Sequence, residues 1–408
     1  MLSVAIINGT VVLPNRVLAR AGVIVNGATI VDVTDDDSAV EQADAVIDAQ
    51  GSFVLPGIVD LHNDGLEIEV NPRPRAGLPL EFALGTFDRN LSAAGITTEF
   101  HAVAFMERQE MGRTGLEAER RAEFIRTLQP SAWAVDHHLL HRIDIWSPTH
   151  VDSALSSAAA SPVGYVSLND HTPGQGQFRD LPRYLERMRS YTAVRGTPEV
   201  DTDGVHRLIA DRAEQRAVAD GVYARVAARR RSDEFVLASH DDDSAEKVDA
   251  MWELGARVAE FPVTEEAARR ARDRGMPIVV GAPNIMRGGS QSGNTSGIEL
   301  FASGLADIIC ADYHAASILP AAFRLVDQGV TDLPTAIRSV SLAPARAVGM
   351  MDRGALEAGQ RADLLIVSAP SLAAPRVELT MRGGQIVYEF MHGGRLAGVS
   401  AERAAAIA

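Results

Sequence analysis

Hydrophobic and polar positions fall into two textures along the chain. From residue 1 to about 53, short apolar runs ("VAIINGTVV", "AGVIVNGATIVDV", "DAVIDAQGSFV") are separated by Asn-Gly pairs and other turn signals, with no helical periodicity between them. This predicts a small β module. The same texture returns between Asp352 and Phe390, in "DRGALEAGQRADLLIVSAP" and "RVELTMRGGQIVYEF". The two ends, 1–53 and 352–390, are expected to pair into one β-sandwich domain.

Between them, over residues 54–351, apolar runs alternate with Arg- and Glu-rich helical stretches. The strand candidates are "VLPGIVDLH", "TTEFHAVAF", "AVDHHLLHRIDI", "VGYVSLND", "EFVLASH", "ARVAEFP", "PIVVGAPNI" and "DIICADYH". The alternation marks an α/β fold, and eight βα units predict a closed (β/α)8 barrel of TIM type, with its chemistry at the carboxyl ends of the strands. An open doubly wound sheet fits less well, because no Gly-x-Gly-x-x-Gly follows the first strand. Asp180 to Asp233 is too long for an ordinary connection and reads as helical; it either caps the barrel mouth or forms solvated outer helices. The tail, 391–408, reads as a short helix against a neighbouring subunit or as a frayed end.

Polar residues at the strand ends change the picture. "LPGIVDLHNDG" finishes on His62 and Asp64, two apart and therefore on one face of a strand. Asp144, Asp170 with His171, His240 with Asp241 and Asp242, Glu260 and Asp312 end later runs. Each alone is an ordinary polar strand end. Together they place imidazoles and carboxylates at one rim of the barrel. Without thiolates, such donors suit zinc first, with manganese or iron as alternatives, and their number leaves room for two divalent ions bridged by a carboxylate and a hydroxide. Hydrolysis is the reaction such a centre performs, with Asp312 able to take the nucleophile's proton.

A second feature is "GAPNIMRGGSQSGNTSG", Gly281 to Gly297. Here Gly288 and Gly289 let backbone N–H groups converge on an anion, Arg287 offers a planar fork, and Asn284, Ser290 and Asn294 add donors. It reads as a phosphate pocket, or as a merely flexible loop. In "NPRPR", Arg73 and Arg75 add charge to the same mouth or lie on the surface.

Composition narrows the partners. The 408 residues carry 39 Lys and Arg against 54 Asp and Glu, net −15, which disfavours nucleic acid and anionic membrane. The 46% hydrophobic and 23% charged content is that of an ordinary globular protein. Cys310, alone in an apolar run, allows no intramolecular disulfide and is expected to be a buried thiol. The amino terminus lacks the pattern of a signal peptide and no segment is apolar enough to span a bilayer, so a cytoplasmic protein is expected.

"LPGIVDLHND", the paired β ends and "GQRADLLIV" resemble the amidohydrolase superfamily, metal-dependent hydrolases built on a (β/α)8 barrel. "VSLNDHTPGQGQF", "LASHDD", "AEFPVT", "GAPNIMRGGSQSGN" and "ADYHAASIL" resemble its phosphonate-metabolism branch, the PhnM-type diphosphatases. The resemblance implies a small phosphorylated substrate, α-D-ribose 1-methylphosphonate 5-triphosphate, hydrolysed to the 5-phosphate and pyrophosphate, and a homodimer by analogy. Position by position it implies His62, Asp64, His171, His240 and Asp312 as metal ligands, and Arg142 and Arg287 as phosphate-holding residues. Asp144 stands where that branch carries a glutamate, one methylene longer, and His101 where it carries an aspartate. Glu260 is left as a ligand or as a partner orienting a histidine. The alternatives are a hydrolase of the same fold acting on a cyclic amide, N-acyl compound, aminated ring or other phosphate ester, and a scaffold without activity. Arg287 with its glycines argues against the amide substrates, and the retained ligands against the scaffold.

Overall fold

The computed structural model describes residues 3–34, 43–73, 76–107, 114–195, 201–230, 234–290, 292–390 and 396–397. Five strands come first: β1 (Ser3–Val12), β2 (Val17–Asn26), β3 (Thr29–Thr34), β4 (Ala45–Asp48) and β5 (Phe53–Pro56). They join β14 (Leu364–Ser368), β15 (Arg376–Arg382), β16 (Gln385–Glu389) and β17 (Leu396–Ala397) in one nine-stranded sheet. The seam between the chain ends is the antiparallel pairing of β5 with β14, Pro56 opposite Leu364. All nine strands are hydrogen-bonded into a single continuous sheet, folded around a core that includes Ile6, Val23, Ile47, Leu364 and Leu379. The two Asn-Gly pairs serve different ends. Asn26-Gly27 turns the β2–β3 hairpin, whereas Asn8-Gly9 makes a bulge inside β1, with Asn8 at a φ of 55°.

The barrel has eight parallel strands in chain order: β6 (Ile58–Asn63), β7 (Ile96–Phe105), β8 (Asp136–Asp144), β9 (Tyr165–Asn169), β10 (Val236–His240), β11 (Val258–Glu260), β12 (Ile278–Gly281) and β13 (Ile308–Cys310). Six fall inside the runs that predict them, and β6 and β7 each extend one residue beyond theirs. Strands covered on both faces are apolar on both, and β6, β9 and β12 are buried along their whole length. Leu61, Phe100, Leu140, Tyr165, Val258 and Cys310 fill the bore; Cys310 is the buried thiol that its apolar run predicts. The ring closes at its carboxyl end through a bridge between Asn63 and Asp312, with Asp312 N–H donating to His62 O at 2.8 Å. Two of the expected site residues therefore also join the first strand to the last.

The outer helices begin on local signals. Ser244 and Thr264 cap theirs by accepting from Lys247 and Ala267 N–H at 3.2 and 3.1 Å. The long connection after β9 holds three helices, Leu181–Arg195, Thr202–Glu214 and Arg216–Arg230. Among the described residues, no helix is long and apolar enough to cross a membrane.

Candidate active site

The carboxyl ends of the barrel strands open into a cavity of about 570 Å³. His62, Asp64, Arg142, His171, His240 and Asp312 reach its wall, as do Asn284, Arg287, Ser290 and Asn294. Strand geometry produces the gathering, because these side chains sit at or beyond the carboxyl ends of six of the eight strands, β6, β8, β9, β10, β12 and β13.

Glu260 is the best-connected carboxylate. Fully buried at the end of β11, it accepts from Tyr165 OH at 2.9 Å and from Ser167 Oγ at 2.8 Å. His240 Nδ1 lies 3.1 Å from its Oε2, and His62 Nδ1 lies 3.4 Å from the same oxygen. Burial alone would raise its pKa, but the two imidazoles hold it well below the usual carboxylate range. A charged carboxylate only accepts, so the His240 proton sits on Nδ1 and Nε2 keeps its lone pair. For His62, burial opposes the charged form and Glu260 outweighs it, so its pKa is raised.

Arg142 spans Asp64 and Asn169: Nη1 donates to both Asp64 oxygens at 2.8 and 3.0 Å, and Nε and Nη2 donate to Asn169 Oδ1 at 3.1 and 2.9 Å. It fixes Asp64 as well as presenting charge to the cavity. Asp312 is buried, which together with Asp64 outweighs His62 and pushes its carboxyl up to about 6. Gly281 leaves it room, since a Cβ there would sit 3.0 Å from Asp312 Oδ2. Asp241, Phe261 and Asp312 all have positive φ, 54°, 55° and 60°, so three of the strand-to-loop corners of this rim are strained.

Several expected residues lie elsewhere. Asp144 is off the cavity wall: its carboxylate accepts from Trp146 N–H at 2.9 Å and closes the turn after β8. The N–H groups of Gly288 and Gly289 donate to Ile285 O and Asn284 O at 3.1 Å, ending a short helix, Ala282–Arg287, that occupies the first part of the presumed loop. They are therefore not turned toward an anion. His101 points outward, away from the bore, stacked on His137 with Nε2 2.8 Å from His137 Nδ1. Asp170 is engaged by Trp146 Nε1 and Thr172. Arg73 is exposed and off the wall, and Arg75 lies outside the described residues.

Sequence reasoning also missed residues. Tyr165 and Ser167 carried a usable signal, polar atoms at alternate, inward positions of an otherwise apolar strand. Gln177 and Phe178 line the cavity from just before the long helical segment, and Arg187 from within it, where its charge reads as solvated helix.

A sequence model of the amidohydrolase family matches residues 137–388. The α-D-ribose 1-methylphosphonate 5-triphosphate diphosphatase of Escherichia coli (strain K12) is 35% identical over 362 residues, 88% of this chain and 93% of its own. The chain belongs to the amidohydrolase family. This amidohydrolase shares its fold with dihydropyrimidinase from Brevibacillus agri NCHU1002 (TM-score 0.61, 13% identity, 95% of each chain). It also shares it with N-acetylglucosamine-6-phosphate deacetylase from Pasteurella multocida (TM-score 0.61, 12% identity, 94% of this chain and 98% of that one).

The donor set of this amidohydrolase fits a divalent ion. His62, His240 and Glu260 each bring a ligand-type atom within 4.8 Å of the others, as do His171, His240 and Asp241. His62 Nδ1 is buried and makes no hydrogen bond, the condition of a nitrogen that needs another partner. Imidazole and carboxylate without sulfur match zinc, manganese or iron.

Proposed function

We propose that this amidohydrolase hydrolyses α-D-ribose 1-methylphosphonate 5-triphosphate to the 5-phosphate and pyrophosphate. One observation carries the reading: a single cavity wall unites the imidazole and carboxylate donors with the guanidiniums of Arg142 and Arg287. Hydrolysis of an amide needs the donors but not the guanidiniums, which match phosphate oxygens. The diphosphatase relative supports the same substrate.

His62, His171, His240 and Asp312, with Asp64 alongside, would hold divalent metal, zinc foremost, which would supply acidity toward water and toward a phosphoryl oxygen. The chain's own groups do the rest. Arg287, hydrogen-bonded to Tyr313 OH, grips phosphate oxygens with its remaining N–H groups. Arg142, preorganised by Asp64 and Asn169, neutralises charge that grows on the reacting phosphate. Asp312 takes the proton of the attacking water on its carboxylate as the water oxygen bonds to phosphorus. The anhydride bond between the first and second phosphates breaks, and Asp312 returns the proton to the departing oxygen.

The test is a phosphorus NMR assay of the zinc- or manganese-loaded protein with this triphosphate. Pyrophosphate is expected from the native protein, and not from Asp312→Asn or after chelation. A metal-loaded native protein that leaves the triphosphate intact overturns the assignment.

A further inference from the structure

Three guanidiniums reach the cavity wall, those of Arg142, Arg187 and Arg287. Arg142 is balanced by Asp64 at 2.8 Å. Arg187 and Arg287 have no carboxylate partner among the described residues, in a chain whose net charge is −15. Two guanidiniums without a carboxylate partner on the wall of one cavity offer forks for more than one phosphate.

Arg187 is brought there by design of the long connection. It lies on the helix Leu181–Arg195, and its guanidinium carbon is 5.4 Å from the centre of the Phe178 ring. Phe178 packs on Tyr184 at 4.9 Å and on His171 at 6.1 Å between ring centres, so the aromatic face that seats Arg187 adjoins a candidate ligand. The segment is fastened to the loop after Arg287 from two sides. Asn294 Nδ2 donates to Gln177 O at 3.3 Å, and Arg183 lies so close over Gly293 that a Cβ there would fall 1.6 Å from its Nη1. Arg187 and Arg287 thus approach one cavity on two elements that hold each other in place. A single phosphate engages one such fork; a chain of phosphates engages both.

We propose that Arg187 sets specificity for phosphate chain length, binding the terminal phosphates of the substrate that depart as pyrophosphate. The inference rests on the diphosphatase reading for its substrate, but its binding test does not. Calorimetry of the metal-loaded protein with inorganic pyrophosphate, and separately with orthophosphate, compares native, Arg187→Ala and Arg187→Lys proteins. Arg187→Ala is expected to weaken pyrophosphate binding about tenfold or more and orthophosphate binding less than about twofold, with Arg187→Lys recovering part. In turnover, Arg187→Ala raises KM for the triphosphate while kcat stays within about threefold of native.

Unchanged pyrophosphate affinity in Arg187→Ala overturns the proposal, and so does an equal loss for both anions, which makes Arg187 a general source of positive field. A native protein that binds pyrophosphate through Arg187 yet leaves the triphosphate intact supports the chain-length role and overturns the substrate assignment instead. A native protein that neither binds pyrophosphate nor turns over the triphosphate overturns both.

Discussion

At the scale of single residues, the cavity floor depends on one carboxylate. Glu260 fixes the proton on His240 Nδ1, faces His62 Nδ1 with the same oxygen, and is itself held by Tyr165 and Ser167. Glu260→Gln keeps the shape and removes the charge. Metal affinity, measured by competition with a chelator, is expected to fall about 10- to 100-fold, with turnover partly restored by excess metal. Unaltered metal affinity with a lower melting temperature would reduce Glu260 to a packing role. Gly281 makes the complementary case, because only a hydrogen faces Asp312 Oδ2. Gly281→Ala is expected to shift that carboxylate by a few tenths of an ångström and to lower kcat about tenfold with metal content retained. A variant with native kcat would show that Asp312 tolerates the displacement.

At the scale of elements, strand ends were legible and the connections were not. A buried strand announces itself by apolar residues on both faces, and a polar residue at its carboxyl end stands out against them; His62, His240, Glu260 and Asp312 were all visible in this way. Asp144 was visible on the same grounds and misleads, because a turn that closes on its side chain looks in sequence like a ligand entering the cavity. The helix Ala282–Arg287 was hidden by the glycines that end it. Arg187 was hidden because a charged helical residue reads the same whether it faces solvent or a cavity rim.

The end-built sheet adds a feature of the same scale, also unseen in sequence. Arg353, Arg361 and Arg382, from the chain's return into that sheet, converge on Asp136 at the opposite end of β8 from the cavity. Their hydrogen bonds and charges overcome burial and hold the Asp136 carboxyl well below its usual range. Asp136→Asn leaves three largely buried guanidiniums without their shared anion, which is expected to cost about 3 kcal/mol in urea unfolding with kcat near native. A loss below about 1 kcal/mol would mean that water and Asp352 or Asp363 replace the lost charge.

The molecule as a whole buries titratable groups of opposite tendency, so its pH dependence is a balance. Burial pushes His138 and His141 down to about 4. Such histidines are neutral when folded and protonated when unfolded between pH 6.5 and about 4; their contribution is complete above 6.5 and is lost as pH falls through that window. Asp60 works the other way. Burial raises it to about 7, so its contribution is complete below its unfolded value and is lost as pH rises. The net slope for the native protein mixes the two, but a difference between proteins isolates one.

His141 is suited to that difference because it stands apart from the cavity and its neutral form is fully bonded. Nδ1 donates to Tyr165 O at 3.1 Å, and Ser157 Oγ donates to Nε2 at 3.0 Å. His141→Gln is expected to destabilise the protein at pH 7.5 by losing that geometry. The penalty should then shrink by about 2 kcal/mol on going to pH 5, because the native protein loses proton-linked stability that glutamine cannot lose. Urea midpoints at the two pH values decide it. A penalty that stays constant would mean that His141 takes up its proton within the fold as readily as in the unfolded chain, and that its two hydrogen bonds, rather than its neutrality, are what the barrel requires.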